Sequence, residues 1–199
     1  IKPVNPTQLL LVCKKMLESK KLKGDQVSKD YIQEFNNLSM AMSDNPGWEE
    51  WIDIYLKLTG WEMELDAHPE LGLKQTIFDQ KRDSNIEFSK FVEKNYLSWV
   101  NSTGHKPILS NEVVDKFVIP ELDKNESVFL FVIDCMRLDQ WLVMEQYLYD
   151  YFNIKKSYHY SILPTATPYS RNAIFSGLFP SEIEQHYPEL WKKNDDDEN

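Results

Sequence analysis

The sequence predicts an α+β protein, a helical bundle followed by the start of an α/β parallel sheet. Up to residue 122 the apolar residues return at helical spacing, with breaks at Asn45-Pro46-Gly47, His68-Pro69, Gly72 and Gly104-His105-Lys106-Pro107. At Val128 that period stops. Val128-Phe129-Leu130-Phe131-Val132-Ile133 is an unbroken apolar run between polar flanks, the pattern of a strand buried on both faces. The chain has 199 residues, 42% hydrophobic and 13% aromatic, enough to bury the core of one large or two modest domains.

After Pro6, the residues Leu9, Leu10, Val12, Cys13, Met16 and Leu17 predict a short amphipathic helix, with Thr7 placed to cap it and Gly24 to follow it. Lys14, Lys15, Lys20, Lys21 and Lys23 suit the negative end of that helix, so the cluster reads as dipole compensation rather than a binding patch. From Asp25 to about Leu122 the aromatic and aliphatic stripes (Tyr31, Phe35, Leu38; Trp48, Trp51, Ile52, Tyr55, Leu58; Phe88, Phe91, Val92, Tyr96, Trp99) predict four to six helical segments, with the stripes as core rather than a partner groove. Beyond the apolar run, Leu138, Trp141, Leu142, Met144, Glu145 and Leu148 predict a helix, and Ile154 to Leu163 a second strand. Strand, helix and strand in that order imply a right-handed parallel crossover.

Charge and cysteine usage exclude several classes. With 22 basic against 32 acidic residues the net charge is −10, which opposes non-specific binding to DNA. Cys13 and Cys135 form neither a disulfide framework nor a Cys-x-x-Cys metal signature, which fits a reducing, cytoplasmic setting. The longest apolar run is too short to span a bilayer and no signal peptide is visible, so no membrane insertion is expected. The chain opens on Ile1-Lys2-Pro3 and closes on an acidic tail from Lys192 to Asn199, and a fragment at both ends is expected.

Two residues are placed to carry chemistry. Asp134 ends the first predicted strand, and ligands of open α/β sheets bind outside the carboxyl ends of strands, so its carboxylate is a candidate metal ligand; a helix N-cap is the equal alternative. Thr167 follows the second predicted strand and precedes Pro168, which suits the first position of a helix reaching Ser176 before Gly177. Thr167 would then be the cap, its hydroxyl among free helix N–H groups. Such a hydroxyl is a candidate nucleophile or a plain cap. Adjacent parallel strands would bring the two residues within reach of one metal, about the 4.8 Å strand spacing. Arg171, one turn further, is a candidate phosphate contact, with surface solvation as the alternative.

Phe131-Val132-Ile133-Asp134, then Pro164-Thr165-Ala166-Thr167-Pro168, then Phe175-Ser176-Gly177-Leu178-Phe179-Pro180 is similar to the alkaline-phosphatase superfamily. The Asp-Cys-Met-Arg and Thr-Pro-Tyr-Ser-Arg segments resemble its PglZ branch. The resemblance implies an alkaline-phosphatase-like parallel sheet, Asp134 as a zinc ligand and Thr167 as nucleophile and metal contact. It also implies two zinc ions whose remaining ligands lie beyond Asn199. Cys135 stands where many relatives have glycine, and Pro168 directly after the threonine is a second departure. His68, His105, His159 and His186 match none of the family's ligands and read as surface or loop histidines.

At the other end, Ile1-Lys2-Pro3-Val4-Asn5-Pro6 with its following helix resembles the close of a response-regulator receiver domain, which implies that Lys2 contacts the phosphorylated aspartate, upstream of Ile1. A receiver end (1–23), a helical middle (24–122) and a PglZ start (123–199) together resemble the PorX-type response regulators of Bacteroidetes. That likeness implies a two-component regulator with a zinc-dependent phosphodiesterase or phosphatase-like output, linked to type IX secretion. Its implied partners are a sensor histidine kinase, a sigma factor, a phosphodiester substrate and a second copy when phosphorylated. The alternative is a non-catalytic, zinc- and phosphorylation-dependent docking module.

Overall fold

Asn5 starts the first helix. Its side chain accepts the Thr7 amide hydrogen at 3.0 Å, and Pro6 takes the first helical position, where a missing N–H costs nothing. The capping role expected of Thr7 thus falls to Asn5. The computed structural model describes residues 5–102, 104–124 and 127–189; Lys2 lies outside them.

Helix α1 spans Pro6–Ser43 without a break. Gly24, expected just past a helix end, is buried inside it, and a Cβ there would meet Leu71 Cδ2 at 3.3 Å. Its lack of a side chain serves close packing rather than termination. The helix stops at Ser43, where Asn45 turns left-handed (φ 52°) before Pro46. Helix α2 spans Trp48–Asp66, with Glu49 and Glu50 in its first turn favoured by the helix dipole. A 3₁₀ turn at Pro69–Leu71 and left-handed Gly72 (φ 66°) lead to α3, Lys74–Asn101.

The bundle core comes from one face of each helix: Val27, Tyr31 and Leu38 of α1, Trp51, Ile54, Leu58 and Leu65 of α2, and Ile77 of α3. Trp51 meets Phe88 edge-on at 5.4 Å and Phe91 at 6.0 Å, and Phe91 meets Trp99 at 5.5 Å. The Tyr31 hydroxyl donates to Gln80 Oε1 at 3.3 Å, and Gln80 Nε2 donates to the Phe35 carbonyl at 3.1 Å, so the buried amide is bonded through both of its ends. Burial pushes the Tyr31 hydroxyl up to about 12. His68, expected in a loop, does sit in the turn after α2, but it is buried beside Glu64 and Glu70.

The chain divides into two compact units. The first runs to Val100 and includes Leu138–Val143; the second holds Asn101–Arg137 and the residues from Met144 onward. The second contains a 3₁₀ turn at Ser110–Glu112, α4 (Val113–Phe117), α5 (Ile119–Leu122), α7 (Thr167–Ser176) and α8 (Pro180–His186); α6 is Leu138–Glu145. Glu112 closes a capping box in which its carboxylate accepts the Leu109 N–H at 2.9 Å and its own N–H donates to the Leu109 carbonyl at 2.9 Å. Glu182 does the same for Phe179 at the head of α8.

The parallel sheet expected after residue 123 is not formed: the described residues are 69% helical, and no strand ladder occurs among them. In place of a strand, Val128–Ile133 is a largely exposed segment without regular structure, with Phe129 at 81% and Phe131 at 82% exposure. An apolar run specifies what a strand would bury but not which neighbour would accept and donate its backbone hydrogen bonds. Ile154 to Leu163, the expected second strand, makes one parallel bridge, Leu109 with Tyr160, closed by Tyr160 N–H to the Ile108 carbonyl at 2.8 Å. Its partner therefore precedes the apolar run. Among the described residues no helix is long and apolar enough to cross a membrane.

Candidate functional site

Thr167 opens α7. The cap is Ala166, in extended conformation (φ −60°, ψ 144°), so Thr167 takes the first helical position and Pro168 the second, one place further on than the sequence suggested. Pro168 has no N–H, and the Tyr169 and Ser170 amides both donate to the Ala166 carbonyl at 3.0 Å. The helix start therefore presents fewer free amides to an anion than expected, and the Thr167 side chain is exposed there. At the far end Gly177 turns left-handed (φ 70°) and its N–H donates to the Ala173 carbonyl, the usual stop for a helix.

Three serines meet at this helix. Ser170 lies three residues after Thr167, a neighbouring position on the helix surface. Its Oγ is 3.0 Å from Ser110 Oγ, in the turn before α4, and 2.9 Å from Ser161 Oγ, in the segment leading to α7. Ser110 is wholly buried and accepts the Ile162 N–H at 3.1 Å. The Leu109–Tyr160 bridge brings residues 110 and 161 together. Sequence reasoning assigned none of the three a role; only Ser170, inside the Thr-Pro-Tyr-Ser-Arg segment, carried a signal, its spacing from Thr167.

Asp134 sits in a turn four residues before α6, so it caps no helix. Its Oδ1 accepts the Cys135 N–H at 2.9 Å, and the carboxylate is exposed. Cys135 has φ 58°, the left-handed region that glycine occupies at no steric cost. Both cysteines are free and exposed, and Arg171 is exposed on α7. Asp134 and Thr167 offer two oxygen donors, but among the described residues no group of three or more His, Cys, Asp or Glu could hold a metal ion. The described donors thus fall short of a complete divalent-metal site.

Residues 21–100 match the family model of the PorX response regulator linker domain, and residues 113–198 match that of the BREX system PglZ alkaline phosphatase-like domain. The chain belongs to the PorX-type PglZ-domain proteins. No curated protein matches it. In this PorX-type chain a response-regulator linker precedes an alkaline-phosphatase-like domain, a regulator with a phosphatase-like output. Domains of that second kind are typically metal-dependent. Asp134, Thr167, Ser161 and Ser170 fall inside the PglZ match, and Ser110 lies just before it.

Proposed function

We propose that this protein is a two-component response regulator whose output domain is a zinc-dependent phosphodiesterase or phosphatase, with Thr167 as nucleophile and Asp134 as one zinc ligand. The observation that carries this reading is the order of the two matches, a response-regulator linker over 21–100 and then an alkaline-phosphatase-like domain over 113–198 that contains both residues. The exposed position of Thr167 at the start of α7 supports it, because the positive end of a helix favours the alkoxide over the alcohol. The ligands that complete a zinc site are not among the described residues, so the chemistry here is that of Thr167. Its Oγ attacks phosphorus, the bond from phosphorus to the leaving oxygen breaks, and that oxygen departs with the threonine proton. Water then attacks the phosphothreonine, regenerating the hydroxyl and releasing the phosphoryl product.

In the same reading, residues 1–23 close a receiver domain, in which Lys2 contacts the aspartate phosphorylated by a sensor histidine kinase. Phosphorylation then shifts the population toward a dimer through the helical linker over 24–122. The process under control is type IX secretion, with a sigma factor as a downstream partner and the cytoplasm as the setting.

The test is hydrolysis of bis-p-nitrophenyl phosphate with zinc and other divalent ions, wild type beside Thr167→Ala. The variant is expected to lose roughly a thousandfold or more in kcat, as removal of a nucleophile does. Equal rates in the two proteins would remove the nucleophile from Thr167. No turnover with any ion would favour a non-catalytic docking module.

A further inference from the structure

Only one arrangement of the hydroxyl protons of the three serines makes all of their contacts hydrogen bonds at once. Each serine carries a single O–H donor. Ser161 Oγ donates its proton to the Ile162 carbonyl at 3.2 Å, so in the 2.9 Å bond to Ser170 it must accept. Ser170 has then spent its proton on Ser161, and in the 3.0 Å bond to Ser110 it must accept in turn. Ser110 donates to Ser170 and receives the Ile162 N–H at 3.1 Å. Every bond runs the same way, from Ser110 to Ser170 to Ser161 to the Ile162 peptide and back from the Ile162 N–H to Ser110.

Resting on the functional reading above, we propose that this one-directional ring is the positioning device of the nucleophile, fixing the first turn of α7 and hence the Thr167 hydroxyl. The ring suits that task for three reasons. It links three segments that are far apart in sequence, the turn at 110, the segment at 161–162 and the helix at 170. It is partly shielded, with Ser110 and Ile162 at 0% exposure, so water competes weakly for its bonds. Hydrogen bonds are also directional, and a ring in which every donor is committed admits one rotational setting of α7, where apolar packing around Ala173 alone would tolerate several. Ser110, Ser161 and Ser170 are positioning residues; none is assigned a contact with substrate.

Nuclear magnetic resonance on the whole protein tests this without relying on turnover. In Ser110→Ala, the Ile162 amide is expected to exchange roughly tenfold faster or more, since it loses its buried acceptor, while the amides of α2 keep their rates. In Ser170→Ala, the methyl resonance of Thr167 is expected to move, and Ser170→Thr, which retains the hydroxyl, to return it toward the wild-type position. Should Ser110→Ala fail to fold, Ser161→Ala cuts the ring at a partly buried member and is read through the same Thr167 methyl. On a phosphodiester substrate, Ser170→Ala is expected to lower kcat by roughly tenfold with KM unchanged, the sign of a misplaced nucleophile rather than lost binding. An unmoved Thr167 methyl in both Ser170→Ala and Ser161→Ala overturns the proposal. So does wild-type kcat in an active protein whose ring has been cut. An inactive wild type in which the methyl and amide effects are present removes the hydrolase reading and leaves the ring standing.

Discussion

In the bundle, the buried side chains are large and mostly carbon: Tyr31, Leu38, Trp51, Ile54, Leu58, Leu65 and Ile77, joined by aromatic contacts. In the second unit the buried apolar set is smaller, Pro107, Leu109, Ile162, Ala173 and Ile183, and its segments are tied by capping boxes and serine hydroxyls. The difference follows from what each region has to work with. Helices of 38, 19 and 28 residues give long apolar faces that bury one another, while helices of 4 to 10 residues do not. Where little area is buried, directional bonds set the geometry, and a region built that way is well suited to place one hydroxyl.

The largest expected effect is in the bundle. Trp51→Ala removes a 4%-exposed indole from between Phe88 and Phe91, a loss of about 3–5 kcal/mol for an aromatic truncated in a core. Denaturant unfolding followed by helical circular dichroism reads it. A change below about 1 kcal/mol would mean that the stripe over Trp51, Phe88 and Phe91 is not the seam of this bundle.

In the second unit the test is one of pH. Around Glu112, desolvation acts to raise the carboxyl, but the Lys106 ammonium and the Leu109 N–H outweigh it and hold it below its ordinary value of 4.5. A carboxylate depressed on folding contributes stability that is fully present above the unfolded value and is lost as pH falls through the folded one. The unit is therefore expected to be insensitive to Glu112 from neutrality to about pH 5 and to weaken below that. Glu112→Gln should lower stability by about 1–2 kcal/mol at neutral pH and flatten part of the acid slope, measured as Tm against pH. An unchanged slope would show that the turn at 109–112 is not held by its charge.

What the sequence revealed follows the same division. The bundle was legible because its helices pack on near neighbours in sequence, so the period of Trp51 and Leu58 or of Phe88 and Phe91 already describes a face, although Tyr55, read with them as core, is exposed and Ile54 takes the buried place. The sheet was misread because Val128–Ile133 reports the chemistry of two faces and nothing about pairing, while Tyr160 found its one bridge at Leu109, just past the break at Gly104 to Pro107 in the stretch read as helical. Thr167 was placed at the right helix end but one position early, since a proline is tolerated at the second helical position as well as the first. The serine ring was invisible, because 110, 161 and 170 meet only through that bridge and serine is ordinary in turns.

Gly24 gives the smallest effect, and its sign separates two accounts of the same residue. If glycine there ended a helix in a left-handed turn, alanine would be strained and the protein would lose stability. In the structure Gly24 has helical backbone in the middle of α1, so alanine gains up to about 1 kcal/mol of helix propensity. Against this stands the 3.3 Å approach of Leu71 Cδ2, the end of a flexible and partly exposed side chain that can yield by a few tenths of an ångström. Gly24→Ala is therefore expected to leave stability unchanged or raise it by less than about 1 kcal/mol, and Gly24→Val, with a branched side chain against Leu71, to lower it. A loss with alanine comparable to that with valine would place a break in α1 at Gly24 and part the residues before it from the bundle that follows.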